Sequence, residues 1–244
     1  MTEGAPIKAP KKRDYRQRAH CNPLSDRYIP FPLRPSEIDW KEFYPILEKD
    51  DNQIEYHAPT FLDIGCGYGG MSFALSELFP TKLILALEIR CVATSFVHDK
   101  VIARRSIGKA HNVAAQWANT MRTLMRYLNP HTIEKIFVLF PDPHFKKRKM
   151  KWRIISQQLM DEYAFVMKDD GNAKFYLVTD VKDYFDYAVP IIEAHPLFER
   201  ISEEEAAEDI CLKTALTATE ESKKVDRNKG SKYAALFRRI KYNE

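Results

Sequence analysis

The chain has 244 residues, a net charge of +4, and 45% apolar and 12% aromatic residues, enough for one domain of the larger single-core kind. Four scattered cysteines without a CxxC pair argue against a zinc ribbon or a disulfide framework and suit a reducing compartment. No run approaches the roughly 18 apolar residues of a membrane span, and the N-terminus lacks the apolar stretch of a secretory signal.

Residues 1–30 carry Lys8, Lys11, Lys12, Arg13, Arg16 and Arg18 among prolines, with few apolar anchors. That composition predicts a flexible basic arm with a nuclear-import role, hence a nucleus location with or without a cytoplasmic share. Residues 31–244 are expected to form a single domain. Within it, 31–57 read as an irregular lead-in with one short helix. From Thr60 short apolar runs alternate with helical patterns: strands at 60–64, 83–88, 112–117, 134–140 and 174–180, and helices at 71–79, 92–105, 120–128, 154–168 and 182–195. This β-α alternation predicts an α/β fold with a parallel sheet and helices on both faces. A last strand at 233–240 is expected antiparallel, at or near an edge.

The net charge hides a polarised distribution. Basic runs sit at 8–18, 146–153 and 223–241, while 203–209 holds five acids. Local basic patches are the footprint of a protein that touches phosphates, although any single run could equally be solvated surface.

The stretch FLDIGCGYGG, 61–70, follows a strand and opens a helix. Its glycines, Gly65, Gly67, Gly69 and Gly70, let the backbone take positive φ and approach a ligand closely. The spacing is G-x-G-x-G-G, unlike the dinucleotide pattern G-x-G-x-x-G. Asp63 stands before the loop, where it would repel a pyrophosphate and attract a cationic amine. The next strand ends in Glu88, a position from which a carboxylate can accept both hydroxyls of a ribose. One ligand that joins an adenosine ribose to an amino-acid amine is S-adenosylmethionine. The plain alternatives are a turn cap for Asp63 and a solvated strand end for Glu88. Asn119, after the third strand, suits either an adenine edge or an ordinary helix N-cap.

The fourth strand runs into FPDPHFKKRKMKWR, 140–153. Pro141 and Pro143 stiffen the backbone around Asp142 and hold its carboxylate in one place at the carboxyl end of the sheet. His144 and Phe145 add a hydrogen-bonding group and a stacking face. Lys146, Lys147, Arg148, Lys149, Lys151 and Arg153 could neutralise several phosphates, with Trp152 available for stacking. So much positive charge suits a polyanionic methyl acceptor better than a small molecule.

Together these residues resemble the tRNA (guanine-N7)-methyltransferase family, the eukaryotic catalytic subunit in particular. The matching pieces are YRQRAH, DIGCGYGG, LALEIR, FVLFPDPHFKKRKMKWRIIS, the pair Thr179-Asp180, HPLFER and TATEESKKV, spread from Tyr15 to about Arg239. The resemblance implies a class I S-adenosylmethionine-dependent methyltransferase, Rossmann-like, with a mostly parallel seven-stranded sheet. It also implies methylation of N7 of a variable-loop guanine in tRNA, and a heterodimer with a non-catalytic WD-repeat β-propeller subunit. By this resemblance Gly65, Glu88, Arg90, Asn119, Thr120 and Leu139 fall at cofactor-binding positions and Asp142 at the catalytic one. Thr219 and Glu221 match a late loop over the donor's methionine end and the guanine pocket. Asp180 is a second acid on the substrate side. Two departures stand out: Thr120 replaces an alanine of animal members, and the linker at 48–58 is short. Competing readings are an mRNA cap guanine-N7 enzyme, a non-catalytic RNA-binding subunit with a methyltransferase fold and, more distantly, an oxidoreductase.

Overall fold

The computed structural model describes residues 5–18, 21–25, 27–48 and 57–241. Seven strands form one sheet in the order β3-β2-β1-β4-β5-β7-β6. They are β1 (Phe61–Ile64), β2 (Ile84–Glu88), β3 (Val113–Trp117), β4 (Lys135–Leu139), β5 (Lys174–Thr179), β6 (Phe198–Arg200) and β7 (Tyr233–Arg239). The first five run parallel. β7 inserts antiparallel between β5 and the three-residue edge strand β6, so the last strand lies one place in from the edge.

The strands alternate between two cores, as the period of two requires. Leu62, Leu85, Ile136 and Phe175 pack on one face, while Phe61, Ile84, Phe137 and Tyr176 pack on the other. The first face is covered by α4 (Thr120–Tyr127), α5 (Gln157–Val166) and α6 (Lys182–Glu193), with Tyr44 and Leu47 of the lead-in. The second is covered by α2 (Gly70–Leu78), α3 (Cys91–Arg105) and α8 (Ile210–Ala218). Helices on both faces of a mostly parallel sheet are the architecture the β-α alternation predicts, and seven strands are what the family resemblance implies; β6 is the strand that the residue pattern does not show.

Several boundaries differ from expectation. The lead-in holds α1 (Trp40–Phe43) flanked by two 3-10 turns, while the short linker at 48–58 lies mostly outside the described residues. The helix expected over 154–168 starts at Gln157, because Ser156 caps it by accepting from the Leu159 N–H. The basic run before it forms a 3-10 stretch, Lys147–Trp152. Three helices absent from the sequence reading fill the segment before β7: α7 (Glu203–Glu208), α8 and α9 (Glu220–Arg227). Among the described residues no helix is long and apolar enough to cross a membrane.

Described parts of the first 30 residues lie against the domain. The Tyr15 ring meets Phe96 edge-on and its hydroxyl donates to Asp99. Gln17 accepts from the Val92 N–H at 3.1 Å. Arg27 stacks on Trp117, its guanidinium 4.9 Å from the ring centre, and Lys12 pairs with Glu220. These anchors depend on partners 75 to 208 residues away, which no local composition reveals.

Candidate active site

The chain reverses its direction across the sheet between β1 and β4, which places a crevice at the carboxyl ends of these strands. There the loops after β1 to β5 and the α8–α9 turn enclose a cavity of about 490 Å³, within the range of cofactor and small-ligand sites. Asp63, Gly65, Gly67, Glu88, Arg90, Asn119, Thr120, Leu139, Asp142, His144, Asp180, Thr219 and Glu221 all line it. Every residue assigned to the donor by sequence therefore reaches one wall or another, and so does the anchored aspartate.

On the donor side the acids are buried. Asp63 is 2% exposed and accepts from the Ser72 hydroxyl of α2 at 2.6 Å. Burial pushes its carboxyl up from an ordinary 3.8 to about 6, against the pull of the bonds from Ser72. Glu88 is 3% exposed and fully engaged. One oxygen accepts from the Arg90 N–H at 2.9 Å and its Nε at 3.0 Å. The other accepts from the Gly67 N–H at 3.0 Å and an Arg90 terminal nitrogen at 2.9 Å. A carboxylate offers about four acceptor positions, so a ribose diol at Glu88 has to share them with Arg90 or displace it. The same pairing raises the Arg90 guanidinium further above its ordinary range.

The glycine loop makes this arrangement possible. Gly67 takes φ +56°, which turns its N–H onto Glu88. Gly70 permits a close approach: a Cβ there would stand 2.7 Å from the Ala218 carbonyl oxygen and 3.0 Å from the Thr219 Cα. The α8–α9 turn thus rests directly on the start of α2. Asn119 occupies the N-cap position of α4 without making a side-chain cap. Its amide instead donates to the Pro23 carbonyl at 2.6 Å, and Cys21 and Pro23 complete that wall. Neither residue was assigned to the site by the sequence reading.

The other side is built on strain and exposure. Phe140 and His144 both adopt positive φ, 51° and 44°, and bracket Pro141-Asp142-Pro143. Non-glycine residues in that region cost energy and mark a backbone held by its surroundings. The loop is pinned by Arg153, whose Nε donates to the Pro143 carbonyl at 2.9 Å. Asp142 is about a quarter exposed and accepts from the His144 N–H at 3.3 Å. The His144 ring, nearly buried, meets Trp152 edge-on, and both line the cavity.

Beyond this loop Lys146, Lys147, Arg148 and Lys151 are exposed. Arg153 does not join them. It is 7% exposed and packs over the Tyr187 ring at 4.1 Å. Its charge supports the Pro-Asp-Pro loop from behind, which corrects its grouping with the phosphate-facing run. Lys149 is half-buried over Trp152.

Comparison with known proteins finds relatives along nearly the whole chain. Residues 57–235 match a family model described as "Putative methyltransferase". A tRNA (guanine-N(7)-)-methyltransferase of Aedes aegypti is 43% identical over 97% of this chain and 94% of its own length. That of Kluyveromyces lactis is 44% identical over 96% and 85%, and that of Xenopus laevis 42% identical over 97% and 92%. Among solved structures, the 16S rRNA methyltransferase KamB superposes with a TM-score of 0.52 at 18% identity, covering 80% of this chain and 92% of its own. That likeness speaks to the fold alone. With relatives of this identity along nearly its whole length, the chain belongs to the tRNA (guanine-N7)-methyltransferase family.

Proposed function

We propose that this protein methylates N7 of a variable-loop guanine in tRNA with S-adenosylmethionine as donor, as the catalytic subunit of a heterodimer with a WD-repeat β-propeller. One observation carries the reading. A single cavity joins two buried donor-side acids to a stiffened, part-exposed aspartate, and a row of exposed cations begins four residues beyond that aspartate.

The residues present fit the donor. Asp63 offers a carboxylate to an amine, Glu88 offers hydrogen-bond acceptors to a ribose, and Gly65, Gly67 and Gly70 remove side chains from the floor. Leu139 adds an apolar wall, while Asn119, Thr120 and Thr219 line the remainder. When bound, S-adenosylmethionine supplies an electrophilic methyl group.

Guanine N7 carries a lone pair and no proton at neutral pH, so no general base is needed. The chain's own work is positioning and charge placement. As N7 is alkylated, positive charge appears on the imidazole half of the base. Asp142, fixed between Pro141 and Pro143, stabilises that charge where it develops, and Asp180 adds a second acid to the same rim. His144 and Trp152 form a wall against which a base can rest. A guanine in folded RNA must first leave its stack, at a cost of a few kcal/mol. Phosphate contacts at Lys146, Lys147, Arg148 and Lys151 offset it. The basic segment 8–18 supports a nuclear address for the same protein.

The test is nucleoside analysis of tRNA incubated with the donor and this chain, with and without the propeller subunit. The expected result is 7-methylguanosine in tRNA, at a higher level with the partner. Methylation of capped RNA with none in tRNA would overturn the assignment.

A further inference from the structure

We infer that Lys232 is a positioning residue for the donor side of the cavity, setting the shape of the α8–α9 turn that carries Thr219 and Glu221. The inference rests on the donor reading given above.

Lys232 precedes β7, whose first residue pairs with Thr179 of β5, so its backbone is tied to the sheet. Its side chain is only 13% exposed. An ammonium has three hydrogens, and three acceptors surround this one. They are the Leu216 carbonyl at 2.6 Å, the Ser222 hydroxyl at 2.7 Å and the Asp226 carboxylate at 2.6 Å. The fully buried Ser222 hydroxyl passes its own hydrogen to the same Leu216 carbonyl.

That carbonyl belongs to the last turn of α8, where helix oxygens have no partner within the helix and a cation is favoured. Lys232 and Ser222 thus close a ring across the turn, joining the end of α8 to the start of α9. The five residues in between include Thr219, whose hydroxyl caps α9 by accepting from the Ser222 N–H at 3.0 Å. They also include Glu220 and Glu221, which line the cavity with Thr219.

On its other side the turn presses on the start of α2, at the contact that only a glycine at position 70 allows. The turn is therefore held from two directions: Gly70 sets how close it lies, and Lys232 sets its curvature. Lys232 does not itself line the cavity, so its effect passes through Thr219 and Glu221.

Lys232→Met in the full chain keeps the stem and removes the three bonds. By calorimetry with S-adenosylmethionine we expect donor affinity about tenfold weaker, the scale of losing charge-assisted bonds. The donor KM should rise by the same factor, kcat at saturating donor should stay within about twofold, and tRNA affinity should not change. Amide exchange over residues 216–226 should quicken. Ser222→Ala, a milder cut in the same ring, should shift donor affinity the same way by about threefold, and it answers the question even if Lys232→Met fails to fold. Donor affinity unchanged in both variants, or equal losses for donor and tRNA with a general fall in Tm, would overturn the inference. A wild-type chain that bound no S-adenosylmethionine would instead refute the donor reading, an outcome separable from these.

Discussion

Glu88 ends one strand and Asp142 follows another, two places away in the sheet, and both residues line one cavity. Their surroundings differ. Glu88 is shut away from solvent and saturated by Gly67 and Arg90. Asp142 is about a quarter exposed, accepts a long bond from the His144 N–H and has the ring nitrogen of that histidine 3.6 Å away. A buried acid held in place from several sides is suited to fix a ligand in one orientation once Arg90 shares or yields its acceptor positions. An acid that reaches solvent at the cavity rim, fixed by its backbone, is suited to meet charge that appears during reaction. The two sides of the cavity should therefore separate in mutant kinetics, one changing binding and the other turnover.

The largest effect belongs to Asp142. Asp142→Ala should lower kcat by on the order of a hundredfold or more, the scale of removing one preorganised electrostatic contact. Donor affinity should stay within about twofold. A loss confined to donor binding would place Asp142 on the wrong side of the comparison.

Glu88 should behave in the opposite way. Glu88→Gln keeps the shape but turns an acceptor pair into one acceptor and one donor. That sets an NH2 group against Arg90 or Gly67. Donor affinity is expected to fall by a few tens-fold, while kcat at saturating donor changes little. Calorimetry and steady-state kinetics on the same preparation read both quantities. A kcat loss as large as that of Asp142→Ala would erase the distinction.

The exposed run contributes next. Replacing Lys146, Lys147 and Arg148 together by alanine should weaken tRNA binding roughly tenfold near physiological salt. The slope of log affinity against log salt should drop by about 2–3, one per lost phosphate contact. Arg153→Ala provides the contrast. It removes the brace behind Pro143, so it should cut turnover and leave the salt slope as in wild type.

Arg153 also shows how far sequence reading reaches. By composition it is the sixth cation of a run. Its burial depends on Tyr184 and Tyr187, more than 30 residues away, and no local pattern carries that. The placement of the glycine loop and the strand-end acids at one cavity was legible, because position follows from β-α alternation and from which end of a parallel sheet a loop occupies. The helices between β6 and β7 were missed for a different reason. Five acids at 203–209 draw attention as charge, yet Ser202, Asp209 and Thr219 are N-caps that start three helices in succession. The capping pattern Ser202-x-x-Glu205 was there to be found. The docking of Tyr15, Gln17 and Pro23 was not, since each partner lies far along the chain.

The smallest effect at neutral pH concerns Asp63. Its carboxyl titrates near 6 in the folded chain and near 3.8 when unfolded. The folded state therefore keeps its proton over the interval in which the unfolded state loses it. Stability from this group is complete below about pH 4, falls as pH rises towards 6, and is constant above that. Carrying the buried charge costs on the order of 3 kcal/mol. Asp209 and Glu220 have lowered values and shift stability in the opposite direction, so the informative quantity is wild type minus Asp63→Asn. If the donor's amine pairs with Asp63, binding requires the ionised form. Affinity should then fall about tenfold between pH 7 and pH 5, and binding at pH 6 should release a fraction of a proton, visible as a buffer-dependent enthalpy. In Asp63→Asn both effects should vanish. A wild-type affinity flat from pH 7 to 5 would leave Asp63 as a cap for Ser72 alone, and the donor side of the comparison would rest on Glu88.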